Sequence, residues 1–147
     1  MKVEDSLKGL TSILLDTAPI IYHLERNPSY EAVMSDFFRV RARHRIVLLT
    51  SPVTLAECLV HPIQRGLAEL ETAYNRLIVA GENTEFRPIG AVEAREAARL
   101  RGEYGLRLAD ALQVAVAVQG GAQAILTNDP VFARVREVRA LIVSELE

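Results

Sequence analysis

The strongest indication of the fold is the sequence Ile13-Leu14-Leu15-Asp16-Thr17-Ala18-Pro19, in which an apolar run ends at a carboxylate and a helix start follows at once. Residues 12–15 predict a short buried strand, and a proline in the next turn is typical of a helix N-terminus. We predict further strands at 46–49, near 85–89, at 124–127 and at 140–143. Strands that alternate with helices predict an α/β fold, with a parallel sheet covered by helices on both faces.

The segments between these strands carry helix signals. Helices are predicted at 17–25, at 30–43, from Pro52 up to His61-Pro62, at 63–80, at 91–104 and at 108–119, and Asp129-Pro130 starts a last one. The helix at 108–119 is apolar on almost every side, which predicts burial between layers. With 147 residues and no linker or low-complexity tract, the sequence predicts a single domain over residues 1–147.

Four carboxylates, those of Asp16, Glu57, Asp110 and Asp129, each stand where an apolar segment turns polar. An acid at such a position is costly to desolvate unless it is paired, so several in one domain suggest a shared cation. Asp16 and Asp129 follow predicted strands, where the ligands of open sheets gather, whereas the other two lie on predicted helices. If folding brings them together, the pocket can hold Mg²⁺ or Mn²⁺, activate water and stabilise a phosphate transition state.

Each acid also has a purely structural interpretation. Asp16 and Asp129 are placed to cap helix N-termini, and a proline directly after Asp129 strengthens that interpretation. Asp110 either favours the positive end of its helix or shares a polar stripe with Arg107 and Gln113, and the glutamate lies on a similar solvated stripe. Capping and metal binding are compatible, and the presence of all four acids in one chain favours a common site.

The basic residues are more informative than the net charge of −2, which by itself does not indicate a nucleic-acid partner. Fifteen of the 17 basic residues are arginines, whose planar fork suits phosphate. Arg99, Arg101 and Arg107 are the candidate phosphate contacts. At helical spacing, the other interpretation is a solvated face whose arginines pair with nearby glutamates.

Several classes of protein and of site are disfavoured. No apolar stretch is long enough to span a membrane and the first residues lack a secretory signal, so we expect a soluble, cytoplasmic protein. Cys58 is the one cysteine and cannot form an internal disulfide. The three histidines do not have the spacing of metal ligands, and there is no glycine-rich phosphate loop.

Four short motifs, in this order and spacing, resemble the PIN domain family, and within it the small ribonuclease toxins of the VapC type. They are Leu14-Leu15-Asp16-Thr17-Ala18-Pro19-Ile20-Ile21-Tyr22, Leu55-Ala56-Glu57-Cys58-Leu59, Leu108-Ala109-Asp110-Ala111-Leu112-Gln113-Val114-Ala115 and Leu126-Thr127-Asn128-Asp129-Pro130-Val131-Phe132. The resemblance implies a three-layer α/β/α fold around a parallel sheet of about five strands. It also implies an acidic pocket for Mg²⁺ or Mn²⁺, with Asp16, Glu57 and Asp110 as core acids and Asp129 as the fourth.

The same resemblance implies hydrolysis of phosphodiester bonds in RNA, with Thr17, Thr127 and Asn128 as supporting residues and the arginines as RNA contacts. The implied partners are the RNA substrate, a small antitoxin whose tail blocks the pocket, and a second copy of the chain in a homodimer. Residues 1–11 precede the first motif as an extension, where many relatives begin almost directly with the strand. This extension is expected to be either an added helix or a frayed tail.

Two other functions would fit a parallel α/β fold with acids at strand ends. A catalytically silent module would keep the fold and bind RNA or metal without cleavage, but the complete set of acids favours activity. A receiver-like signalling domain would need paired acids beside the first strand and a lysine late in the chain. The only lysines are Lys2 and Lys8, so this second alternative is disfavoured.

Overall fold

The computed structural model describes all residues, 1–147, and contains one parallel sheet of five strands in the order β3-β2-β1-β4-β5. The strands are β1 (Ser12–Leu15), β2 (Val47–Thr50), β3 (Thr84–Phe86), β4 (Ala124–Thr127) and β5 (Arg139–Ile142). Every neighbouring pair runs parallel. The predicted α/β fold with a five-stranded parallel sheet is therefore confirmed.

Seven α-helices and two short 3-10 helices connect the strands. They are α1 (Val3–Leu7), α2 (Thr17–Leu24), α3 (Glu31–Arg43), α4 (Pro52–Arg65), α5 (Ala68–Ile78), α6 (Ala91–Tyr104) and α7 (Leu108–Gln119), with 3-10 turns at Pro130–Arg134 and Val143–Glu145. No helix combines the length and the apolar character needed to span a membrane.

Alternate residues of β1, β2 and β4 pack into two separate cores, which explains their continuous apolar runs. Ile13 and Leu15 of β1 pack on the face covered by α1 to α5, whereas Leu14 packs on the face covered by α6 and α7. Side chains of a strand point alternately to opposite faces, so a strand buried on both sides must be apolar throughout. The two cores confirm the three-layer α/β/α arrangement.

The sequence prediction was wrong about where α4 ends. The helix continues through Pro62 to Arg65, because the proline removes only one amide donor and its ring is buried. The helix ends instead at Gly66, which has a left-handed φ of 65°, and the Leu67 amide donates to the Pro62 carbonyl at 2.8 Å. The next helix therefore covers Ala68–Ile78 rather than 63–80.

Proline also affects two further elements. Strand β3 ends at Phe86 rather than near 89, since Pro88 has no amide hydrogen to donate to a neighbouring strand. The helix predicted to start at Asp129-Pro130 is present, as a 3-10 helix of five residues.

The N-terminal extension is a helix, α1, and not a frayed tail. Val3 and Leu7 are buried in the same core as α3. The Val3 amide donates to the Glu147 carbonyl at 3.1 Å, and Arg43 of α3 forms an ion pair with Glu4. The extension thus packs against α3 and completes this core.

Candidate active site

The sheet order places β1 beside β4 at its centre, although the two strands are far apart in sequence. From β1 the chain first builds the sheet towards β2 and β3, and later continues on the other side with β4 and β5. Open parallel sheets bind ligands in the crevice outside the carboxyl ends of the strands, between the two adjacent strands from which the strand order runs in opposite directions. Asp16 directly follows β1 at this point, and Thr127 is the last residue of β4.

An open pocket of about 450 Å³ occupies this crevice. Its lining includes Asp16, Thr17, Tyr22, Glu57, Arg107, Asp110, Asn128 and Asp129. The structure therefore brings together all four acids predicted from the sequence, with two of the three supporting residues. A larger pocket of about 550 Å³ beside α1 contains none of these side chains.

The Asp16 carboxylate is held by side chains on two other elements. Its Oδ2 accepts a hydrogen bond from Thr127 Oγ1 at 2.8 Å, and its Oδ1 accepts one from Gln113 Nε2 at 3.3 Å. Burial raises the pKa of this carboxyl, and the hydrogen bond from Thr127 works against that rise. Asp16 stands at the N-cap position of α2 but caps no backbone amide with its side chain, so the capping interpretation was wrong for this residue.

Asp129 combines the two roles that the sequence left open. Its Oδ1 accepts a hydrogen bond from the Val131 amide at 3.0 Å, which caps the 3-10 helix. Its Oδ2 lies 3.9 Å from Arg107 Nη2 in the pocket. Thr127 Oγ1, which donates to Asp16, also accepts from the Asp129 amide at 3.0 Å, so one hydroxyl connects the Asp16 carboxylate to the backbone of Asp129.

The other two acids reach the pocket from helices. Thr17 Oγ1 donates to Glu57 Oε1 at 2.7 Å, which ties the first turn of α2 to α4. Asp110 is only 8 % exposed in the first turn of α7 and accepts from Arg107 Nε at 3.1 Å. That hydrogen bond to Asp110 raises the pKa of the Arg107 guanidinium. The thiol beside the glutamate is inert, because burial raises the pKa of Cys58 to about 12.

The three candidate arginines differ in position. Arg107 lines the pocket, whereas Arg99 and Arg101 do not. Arg99 donates to Glu96 at 2.6 Å and to Glu103 at 2.8 Å, as expected for a helix face with internal pairs. Arg101 Nε donates to the Leu106 carbonyl at 3.1 Å.

Sequence reasoning missed several buried or aromatic residues of the site. Gln113 was interpreted as part of a polar stripe, but it is 1 % exposed and bonded to Asp16. Its signal was present, since it is the only polar side chain between Leu112 and Val118 of an apolar helix. Tyr22 also went unnoticed, although its hydroxyl accepts from Asn128 Nδ2 at 3.1 Å and its ring stacks on that of Tyr30.

In this structure the four acids do not by themselves form a coordination shell for a metal ion. No group of three or more histidine, cysteine, aspartate or glutamate side chains is placed to hold a metal ion. Arg107 supplies positive charge between Asp110 and Asp129 instead. The oxygen donors present, which are carboxylates with a hydroxyl and an amide nearby, are the ligand types that Mg²⁺ and Mn²⁺ prefer.

Solved structures with a similar fold include toxin–antitoxin complexes. VapBC2 from Rickettsia felis, bound to a DNA fragment from its promoter, includes a chain that is 17 % identical with a TM-score of 0.71, covering 89 % of this chain and 98 % of that one. DNA-bound VapBC from Salmonella typhimurium includes one that is 19 % identical with a TM-score of 0.65, covering 91 % and 99 %. A toxin–antitoxin complex from Klebsiella pneumoniae includes a chain that is 20 % identical with a TM-score of 0.62, covering 89 % of this chain and 97 % of that one. At these identities the likeness establishes the fold.

Comparison with protein families gives a direct result. No curated protein matches the chain. The sequence model of the PIN domain family, however, matches residues 13–138. These residues include β2, β3, β4, all of β1 except Ser12, and all four acids of the pocket, and the match ends just before β5. Because this match spans most of the chain and agrees with the observed fold, the protein belongs to the PIN domain family.

Proposed function

We propose that this protein is a divalent-metal-dependent endoribonuclease that hydrolyses phosphodiester bonds in RNA. The observation that carries the proposal is the convergence of four carboxylates on one open pocket at the carboxyl ends of β1 and β4. They come from four separate places in the chain, so their meeting is a product of the fold. Membership of the PIN domain family, whose members include nucleases, supports the same reaction class.

Asp16, Glu57, Asp110 and Asp129 would hold Mg²⁺ or Mn²⁺. The site fits such an ion because its donors are hard oxygens and because burial disfavours the charged form of the Asp16 carboxylate, which a cation would favour. A bound divalent ion supplies a water of lowered pKa and positive charge next to the phosphate. Glu57 is exposed, so its carboxylate is free to turn towards a bound ion.

The chain's own side chains position the carboxylates and the substrate. Thr17 orients Glu57, and Thr127 orients Asp16 through the hydrogen bonds already described. Arg107 is 79 % exposed, so its guanidinium is free to turn from the acids to a phosphate of the substrate. Arg99 and Arg101 remain candidate RNA contacts only outside the pocket.

A single-stranded substrate suits the aromatic lining of the pocket. Tyr22 lies beside the acids and stacks on Tyr30 with ring centroids 4.6 Å apart. Proteins that act on unpaired RNA commonly stack its splayed bases on such rings. Asn128 orients Tyr22 through its hydroxyl, which gives this asparagine a supporting role between the acids and the base.

We further propose that residues 1–147 act as one domain and as the toxin of a toxin–antitoxin pair. The support is the likeness to chains of two VapBC complexes and of a further toxin–antitoxin complex, each from a different bacterium. The expected partners are a small antitoxin that covers the acidic pocket and a second copy of this chain. Val60, Ile63 and Leu67 form an exposed apolar stripe along α4 and the turn after it, which is available for such contacts.

Cleavage of a labelled single-stranded RNA by the purified protein tests the proposed reaction. We expect cleavage with Mn²⁺ or Mg²⁺ and none after chelation with EDTA. Asp16→Asn is the matched control, since contaminating nuclease would copurify with it equally. Cleavage that survives EDTA contradicts a metal mechanism, and RNA binding without any cleavage under either ion would identify a silent binding module instead.

A growth assay tests the proposed biological role. Expression of the protein alone should arrest growth, while Asp16→Asn should not. Co-expression with a neighbouring short reading frame that encodes a DNA-binding protein should restore growth. Equal growth of wild type and variant would contradict the toxin proposal while leaving the cleavage experiment to decide the activity.

A further inference from the structure

A chain of buried polar side chains lies directly beneath the pocket. Ser51, Thr54 and Gln113 are 0 %, 0 % and 1 % exposed, yet all three are polar. They connect β2, α4 and α7 to the Asp16 carboxylate at the end of β1. Burying a polar group costs free energy unless its hydrogen bonds are made, so such a chain requires an explanation.

The direction of every hydrogen bond in this chain is determined. Gln113 Oε1 can only accept, so Ser51 Oγ donates to it at 2.5 Å. The Gln113 amide nitrogen therefore faces the other way and donates to Thr54 Oγ1 at 2.6 Å and to Asp16 Oδ1 at 3.3 Å. The Thr54 hydroxyl in turn donates to the Leu15 carbonyl at 3.4 Å. A flipped amide would place its oxygen against the carboxylate, which is repulsive.

We propose that Gln113 is a positioning residue for the Asp16 carboxylate, with Ser51 and Thr54 fixing the orientation of its amide. This inference rests on the proposed function, because it treats Asp16 as a metal ligand. Gln113 holds Oδ1 and Thr127 holds Oδ2, so both oxygens are fixed from the protein side. The carboxylate cannot rotate, and its remaining lone pairs are presented to the pocket that it lines.

Packing alone does not account for a glutamine at this position. Its neighbours along α7 are apolar, and an apolar side chain of similar size would fill the same space without burying an amide. The stability of the helix therefore does not require Gln113. Orientation of a ligand by a buried hydrogen-bonded partner is, by contrast, the usual means by which a metal site is organised in advance.

The test is a calorimetric titration of the purified protein with Mn²⁺. Gln113→Met keeps the volume and removes both donors, and we expect its Mn²⁺ dissociation constant to rise by about 10- to 100-fold. Thr50→Val is the matched control, because Thr50 is also fully buried and its hydroxyl bonds the Ile78 carbonyl at 2.5 Å, away from Asp16. The control should lose thermal stability and keep the wild-type Mn²⁺ affinity.

A second variant covers the case in which Gln113→Met does not fold. Ser51→Ala leaves Gln113 and Asp16 in place but removes the donor that fixes the amide, and it should weaken Mn²⁺ binding in the same direction. RNA cleavage by either variant should recover when Mn²⁺ is raised, at a temperature where the protein is folded. A purely structural defect would not recover in this way.

The outcomes separate this inference from the proposed function. If wild type binds Mn²⁺ and both variants bind it equally well, the positioning role is overturned and the metal site stands. If Thr50→Val loses as much affinity as Gln113→Met, the effect is a general loss of packing and the inference is again overturned. If wild type binds no Mn²⁺, the proposed metal site fails, and the inference fails with it.

Discussion

At the scale of single residues, Asp16 and Asp129 have the same side chain at the ends of adjacent strands but different partners. Both oxygens of Asp16 accept from side chains that are buried under the pocket. Asp129 instead uses Oδ1 to cap a backbone amide and is more exposed, at 42 % of its side chain. The two residues should therefore respond differently to the same substitution.

We predict that Asp16→Asn abolishes most RNA cleavage, whereas Asp129→Asn retains a measurable part of it. Asparagine caps helices about as well as aspartate, and its amide oxygen still offers one neutral ligand. Initial cleavage rates with Mn²⁺, measured for both variants in parallel, check this. Equal loss in the two variants would mean that Asp129 is as essential a ligand as Asp16.

The prediction for Arg107 rests on its positive charge rather than on the geometry of its contacts. Its guanidinium lies beside Asp110 and Asp129, where it competes with any divalent cation for the same carboxylates. Arg107→Gln should bind Mn²⁺ a few-fold more tightly and bind RNA more weakly, since a phosphate contact is lost. Arg101→Gln is the matched control, because Arg101 lies outside the pocket. Tighter Mn²⁺ binding in the control as well would assign the effect to net charge.

At the scale of elements, the two glycines at the end of α6 show that backbone conformation determines how a glycine-to-alanine substitution changes stability. Gly102 lies within the helix and Gly105 follows its last residue with a left-handed φ of 67°. A methyl group at either position would meet nothing within 4 Å. The two positions therefore differ in backbone conformation and not in available space.

We predict opposite effects of the same substitution at these two positions. Gly102→Ala should stabilise the protein by about 0.5–1 kcal/mol, because alanine favours a helix. Gly105→Ala should destabilise it by about 1–2 kcal/mol, because a Cβ disfavours the left-handed conformation. Denaturation with urea measures both, and a loss of stability in Gly102→Ala would contradict this account.

The elements could largely be predicted from the sequence because a parallel sheet leaves a simple pattern. Apolar runs of four residues placed β1, β2, β4 and β5 to within one residue, since both faces of these strands are buried. The errors came from prolines and glycines, whose effect depends on tertiary contacts. Pro62 remains inside α4, and Gly66 ends that helix through a conformation that the sequence does not reveal.

The acids of the site could be predicted from the sequence, but the buried residues beneath them could not. The four acids were found because acids at apolar junctions are unusual and match a family pattern. Gln113 and Ser51 were not found, because their role depends on which helix packs beneath β1. The same limit applies to Arg99, whose glutamate partners Glu96 and Glu103 could be predicted from spacing, although its distance from the pocket could not.

At the scale of the whole molecule, the acids make the pocket a local concentration of negative charge in a protein whose net charge is only −2. Like charges at close range in a partly buried cleft strain the folded state, and the unfolded chain has no such site. A cation that binds only the folded state therefore stabilises it.

We predict that Mn²⁺ raises the melting temperature in a concentration-dependent way. At a Mn²⁺ concentration 100 times the dissociation constant, the free energy of unfolding should rise by about 2.7 kcal/mol. Glu57→Gln should melt at a higher temperature than wild type without metal and respond less to Mn²⁺, because it removes a negative charge that lies near the buried Asp16 carboxylate. A thermal-shift series on both proteins measures this. A destabilised variant together with an unresponsive wild type would contradict the existence of a metal site.

The pairing of β1 with β4 has a consequence for the time at which the protein becomes active. Thr127 follows Asp16 by 111 residues, so a ribosome that adds about 5–20 residues per second needs several seconds between them. Until β4 emerges and inserts beside β1, the nascent chain carries its early acids without the pocket that unites them. The proposed ribonuclease activity therefore cannot act on the messenger RNA from which the protein is being translated until most of its own synthesis is complete.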